Sequence, residues 1–203
     1  MTFHNHKNQS GFSLVEVLVA ISLLLMVIVG PMQILTRANN STSFATEQQT
    51  AWLLAQEGLE LAQMGRDNLM LQYFDGIVAN PWARFRQATS TTITATTNPG
   101  GHAACFTAAG CGIVVNSMGS STVVLCNPLS NCRLYLGASP SRARYQHIPT
   151  ATSTLYTRVI RMTQIRPGSQ IAASSTVTWR TGSLIVGQRV VTETNFSNIY
   201  VRP

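Results

Sequence analysis

Glu16 makes the strongest chemical demand in this sequence. It stands in an apolar run from Phe12 through Val29 built almost wholly of Val, Leu, Ile, Ala, Met and Phe. That run is about the length that crosses a bilayer as one helix at roughly 1.5 Å per residue. A carboxylate in lipid is costly unless it finds a partner, so Glu16 marks a functional position; the plain alternative is a signal anchor that tolerates one acid near its end. Lys7 before the run predicts that the N-terminus stays in the cytoplasm and the rest is translocated. Four cysteines form the second group: Cys105, Cys111, Cys126 and Cys132 fall into two pairs with five residues inside each. In a translocated domain an even set argues for disulfides, and the spacing favours Cys105 with Cys111 and Cys126 with Cys132, although four cysteines permit three connectivities. Zinc is the rival, but its structural ligands usually have roughly two to four residues between them.

Catalysis needs convergent groups, and few are present. Beyond Gly11 the histidines are His102 and His147 and the aspartates Asp67 and Asp75. No nucleophile elbow, paired catalytic motif or phosphate-binding glycine loop accompanies them. Glu57 and Glu60 are neighbours on a helix, but without a nucleophile or metal ligand beside them they read as a solvated face. The histidines His4 and His6 near the start do not make a metal site. The sequence predicts neither an enzyme nor a cofactor nor a metal.

The residues around Glu16 also carry a resemblance. A short polar leader ending in Gly11, then Phe12, an apolar helix, and Glu16 at the fifth place after the glycine are similar to the processing and methylation site of type IV prepilins and type II secretion pseudopilins. The resemblance implies that a prepilin peptidase cuts between Gly11 and Phe12 and methylates the new amine of Phe12. Glu16 then pairs with the Phe12 amine of a neighbouring subunit and sets the axial register of a filament. The physics agrees, because the new N-terminus supplies the cation that a buried carboxylate needs without any lysine in the helix. Unlike a secretory signal peptide, this leader is cut before the apolar run, so the helix stays in the mature protein. Implied partners are other pilin subunits through the N-terminal helix, the pilus assembly platform and the membrane. The implied location is the inner membrane, single-pass, and then the surface filament. Farther on, Leu134-Tyr135-Leu136, Arg158-Val159-Ile160 and Val177-Thr178-Trp179 resemble the heads of minor pilins of the PilV kind. The function this implies is a minor pilin, with a minor pseudopilin of a type II secretion system as the alternative.

Charge is distributed unevenly over the 203 residues, whose formal net charge is +7. Between Gly11 and Asp75 two arginines, Arg37 and Arg66, face six acids; from Gly76 onward eleven arginines face one acid, Glu193. This asymmetry fits complementary packing between subunits, or capture of DNA or an anionic surface by the basic part. No nucleic-acid motif and no aromatic cluster accompanies the arginines, which favours packing.

These groups require the following elements. The fold class is α+β and type IV pilin-like: a long N-terminal helix packed on an antiparallel β-sheet head. Its expected parts are a leader over 1–11, a membrane and polymerisation helix over 12–30, an amphipathic continuation over 31–75 and a β-rich head over 76–203. Gly30-Pro31 predicts a kink or local melting. Trp52, Ala55, Leu59 and Ala62 recur at helical steps and predict a face, including Trp52 and Leu59, buried against the sheet. Gln56-Glu57-Gly58 and Gly65-Arg66-Asp67-Asn68 are places where the helix loosens or stops. From Tyr73 to Trp82 the helical period is lost, and Gln87 to Gly101 reads as a threonine-rich surface loop or edge strand. Alternation from Leu155 to Ile165, turns at Pro167-Gly168 and Thr181-Gly182, and strands over 171–179 and 184–194 predict an antiparallel meander.

Overall fold

The computed structural model describes residues 13–86, 101–115, 121–137, 144–149, 152–181 and 187–198. Gly11 and Phe12 with the rest of the leader, the threonine-rich stretch up to Gly100, and Gly182 of the last turn lie outside the described residues. One helix, α1, covers Leu14–Phe74, and the chain divides into two units between Thr46 and Glu47.

In the first unit no described residue of α1 is buried. The helix runs through Pro31, where a kink or melting is expected. One proline removes a single amide donor, and a long apolar helix tolerates that loss. The polar stretch around Asn39 and Asn40 is helical as well. Thr36, Thr42 and Thr46 donate their hydroxyls to the carbonyls of Met32, Ala38 and Thr42, each at 2.9 Å. The helix thus satisfies these three hydroxyls with its own carbonyls.

In the second unit α1 packs on a seven-stranded antiparallel sheet: β1 Cys111–Val115, β2 Ser121–Leu125, β3 Arg133–Gly137, β4 Arg144–Gln146, β5 Thr152–Arg166, β6 Gln170–Trp179 and β7 Gln188–Ser197. The expected meander is present as β5, β6 and β7, joined first by a turn with Gly168 at φ +75°. β7 reaches Ser197, three residues beyond the expected end, because its backbone stays paired with β6 as far as Gln170. The long strand β5 pairs with β6 and also with β1 and β3, so it organises the sheet.

The buried stripe of α1 is Ala51, Leu54, Ala55, Gly58, Leu59, Ala62, Gly65, Leu69 and Met70. Trp52 does not belong to it and is 48% exposed. The reason is size, since a stripe of alanines and glycines lets the helix axis approach the sheet where an indole would hold it off. A Cβ on Gly58 would stand 2.5 Å from Ser175 Oγ, and one on Gly65 would collide with the His102 ring. Both glycines are therefore points of closest approach, and α1 continues through the two places where it was expected to loosen.

The helix is closed by Gly76, which lies two residues past Phe74 and has a φ of +72°. Ile77 N–H donates to Gln72 O at 2.9 Å and Gly76 N–H to Tyr73 O at 3.1 Å, the paired bonds of a glycine C-cap. A second helix, α2 (Pro81–Arg86), begins at the end of the stretch over 73–82 where the helical period is lost and runs four residues beyond it. Its start was legible: Asn80 Oδ1 accepts the Ala83 amide at 2.9 Å, and Pro81 takes the first helical position. α2 buries Trp82 and Phe85; the Phe85 ring lies 4.6 Å from His102 and 6.3 Å from Phe196, which closes one end of the core.

Candidate functional site

Glu16 sits in the first turn of α1, directly after Ser13, whose carbonyl accepts the amides of Glu16 at 3.0 Å and Val17 at 3.2 Å. The unsatisfied amides of a first turn favour a carboxylate there. Glu16, Val17, Ala20, Ile21, Leu24 and Leu25 line one groove of about 480 Å³ on the helix surface. Apart from Glu16 the lining is apolar. The large side chains on this helix have nothing of their own unit to bury them: Leu14 is 75% and Met26 78% exposed. Leaving such side chains in water costs about 1.5–3 kcal/mol each, so the segment requires lipid or other protein around it. α1 is long and apolar enough to cross a membrane.

The four cysteines lie in the head. Cys105, in a short 3-10 turn, is bonded to Cys111 at the start of β1, and Cys126, after β2, to Cys132, before β3. The second bond packs with Val159 of β5.

The acids Glu57 and Glu60 do not share one environment. Glu57 is the counter-ion of Arg158, a fully buried guanidinium on the helix-facing side of β5, and not a solvated face. Arg158 Nη1 donates to Glu57 Oε2 at 2.8 Å and to Leu54 O at 3.1 Å. Desolvation lowers the Arg158 pKa from its ordinary value, and the Glu57 carboxylate opposes that shift. Strand alternation placed Arg158 on the Tyr156–Ile160 side; its partner was hidden because nothing in sequence links a strand arginine to an acid a hundred positions earlier. Another clamp joins the same helix to the sheet: Thr181 Oγ1 donates to Glu47 Oε2, and the Tyr156 hydroxyl to Glu47 O at 3.4 Å.

His147 is buried beside Gly112, and its Nδ1–H donates to Arg133 O at 3.2 Å. Burial, aided by the positive Arg158, pushes its pKa down to about 3 against the hydrogen bonds to Arg133 and Cys132. His102, the other head histidine, is packed at Gly65 and Phe85. Among the described residues no three His, Cys, Asp or Glu side chains gather as metal ligands.

An unburied apolar helix with one acid in its first turn, followed by a disulfide-bonded α+β head, defines an anchor-and-head architecture. The prokaryotic N-terminal methylation motif matches residues 6–30, a span that contains Gly11, Phe12 and Glu16. In this N-terminal segment the chain is similar to the type IV prepilins and pseudopilins. Comparison with curated proteins and with solved structures gives no match.

Proposed function

We propose that the protein is a minor pilin of a type IV filament, a structural subunit and not an enzyme. Prepilin peptidase cuts it after Gly11 and methylates the amine of Phe12. The helix over 12–30 holds it in the inner membrane with the N-terminus in the cytoplasm, and the assembly platform then extracts it into a surface fibre. The observation that carries this reading is the lone carboxylate at the head of an apolar groove, inside the matched motif. A neighbouring helix that begins with a free amine fits that groove: its cation meets Glu16 while its apolar side chains continue along Ala20 and Leu24.

The test is chemical and then genetic. Intact protein from filaments is expected to begin at Phe12 and to carry one extra methyl group, and unprocessed chain in filaments rules the reading out. Glu16→Gln is expected to reduce incorporation at least about tenfold, the equivalent of losing one buried charge pair. Head folding should be unchanged in that variant. Loss of surface fibres on gene deletion, with protein secretion unaffected, separates a pilin from a secretion pseudopilin.

A further inference from the structure

From Gly76 onward the chain has one acid, Glu193, and the sheet gives it a particular place. On the side of the sheet facing away from α1, Arg161 of β5, Ser174 of β6 and Glu193 of β7 stand in one register row. The adjoining row is Thr163, Ala172 and Asn195. Arg161, Thr163, Glu193 and Asn195 are exposed, and between them Ala172 and Ser174 floor a groove of about 270 Å³.

Arg161 and Glu193 have opposite charge but are two strands apart, about 10 Å at roughly 4.8 Å per strand. Among the described residues the ion pairs are Arg66–Asp67 and Arg158–Glu57, so neither wall of the groove is neutralised by the other. Arg161 Nε–H donates to Ala108 O at 3.0 Å, which steadies the guanidinium and leaves its terminal nitrogens for another acceptor. Such a groove is a poor seat for a polyanion, since Glu193 would repel it.

The row is antisymmetric about Ser174. Rotating a second copy by half a turn, about an axis that runs along β6 between the two faces, sets its Arg161 over Glu193 and its Glu193 over Arg161. Ser174 then faces Ser174. The adjoining row obeys the same operation, with Thr163 opposite Asn195 and Ala172 opposite Ala172. Two-fold contacts require a patch complementary to itself, and opposite charges placed on either side of small residues satisfy that requirement. We propose that the outer-face patch formed by Arg161, Thr163, Ala172, Ser174, Glu193 and Asn195, beside the part of β5 that the Cys126–Cys132 disulfide covers, is a pairing surface for a second copy of this chain, closed by two reciprocal Arg161–Glu193 bridges.

The test uses the full chain in detergent. No free cysteine is present among the described residues, so Ser174→Cys supplies a single reporter thiol at the expected two-fold axis. Mild oxidation of this variant is expected to give a disulfide-linked dimer. Adding Arg161→Glu or Glu193→Arg alone places like charges opposite each other at both bridges, and the dimer yield should fall about tenfold. Adding both reversals together restores the complementary pattern and should return the yield to within about twofold. Absence of a dimer, a dimer indifferent to the single reversals, or loss that the double reversal does not rescue overturns the proposal. Near-UV circular dichroism confirms that each variant is folded. The crosslink reads only the head, so its outcome is independent of processing at Gly11 and of Glu16.

Discussion

Between Leu14 and Leu35 helix α1 displays large apolar side chains to its surroundings, with Met26 78% exposed; between Ala51 and Ala62 the same helix buries Ala51, Ala55 and Ala62 completely. The first stretch and the buried face of the second are both apolar, but the second sets alanines and Gly58 among its leucines where the first is mostly Leu, Ile, Val and Met. Small residues mark the stretch that must approach a sheet of its own chain closely, where every ångström of separation forfeits dispersion contacts. Large ones mark the stretch whose burial must come from outside its own unit. Hydrophobicity thus reports that a helix face needs burial, and side-chain volume reports against what. The second unit carries its own partner; the first depends on one supplied from outside.

The sharpest way to break this contrast is to leave the self-sufficient unit with an unmatched charge at its centre. Glu57→Gln keeps the shape of the side chain and leaves Arg158 buried without a counter-ion. Breaking a buried pair costs about 3–5 kcal/mol, and because the Glu57 side chain is 39% exposed the low end, about 3 kcal/mol, is expected. Arg158→Met removes the charge that needs compensation, fills much of the same volume and leaves Glu57 at a half-wet edge. It should cost clearly less than Glu57→Gln. Urea unfolding of the full chain in micelles, followed by near-UV circular dichroism of the head tryptophans, checks both. If Arg158→Met proves the more damaging change, the guanidinium stabilises the head through packing and backbone contacts, and the ion pair is secondary.

Much of this architecture is legible in the residues themselves. Alternation along β5 and β6 gives the sheet, and Pro167-Gly168 gives the turn, because a period of two and a positive φ are local properties. The acid at Glu16 is legible because an apolar run leaves it without company. What escaped depends on pairs distant in sequence. The choice between Trp52 and Ala51 as the buried neighbour depends on how close the sheet comes, and the role of Glu57 depends on an arginine on β5. The glycines at 58 and 65 look like interruptions until Ser175 and His102 are seen against them. Helix α2 is the exception, since Asn80-Pro81 announces a helix start and only its shortness concealed it.

The disulfides test the same contrast with a smaller effect. Each closes a short loop, and reducing one removes a restraint on the unfolded chain of about 2 kcal/mol. Cys126→Ser with Cys132→Ser and Cys105→Ser with Cys111→Ser should each lower the head's unfolding free energy by that amount, read as a lower urea midpoint. The helical signal of the first unit should persist, since no cysteine lies in it. Parallel loss of helix in both units would show that the anchor borrows its order from the head.

The smallest effect concerns protons and is confined to the head. His147 is held neutral, with its pKa pushed from 6.5 down to about 3. Between these values the unfolded chain binds a proton that the folded chain refuses, so the contribution is complete above the unfolded value and is lost progressively as pH falls towards the folded one. Lowering the pH from about 7.5 to about 5.5 is expected to cost about 1.4 kcal/mol. That window lies above the ordinary carboxyl range, so the acids add little to the slope. His147→Gln retains an N–H for Arg133 O but cannot take up a proton, and its stability should be flatter across the window than that of the unaltered protein whatever its absolute value. Equal slopes in the two proteins would mean that the ring gains access to water, or to a proton, before the head unfolds. In that case the packing of Gly112 against His147 opens locally, at a lower free energy than the contact of α1 with the sheet.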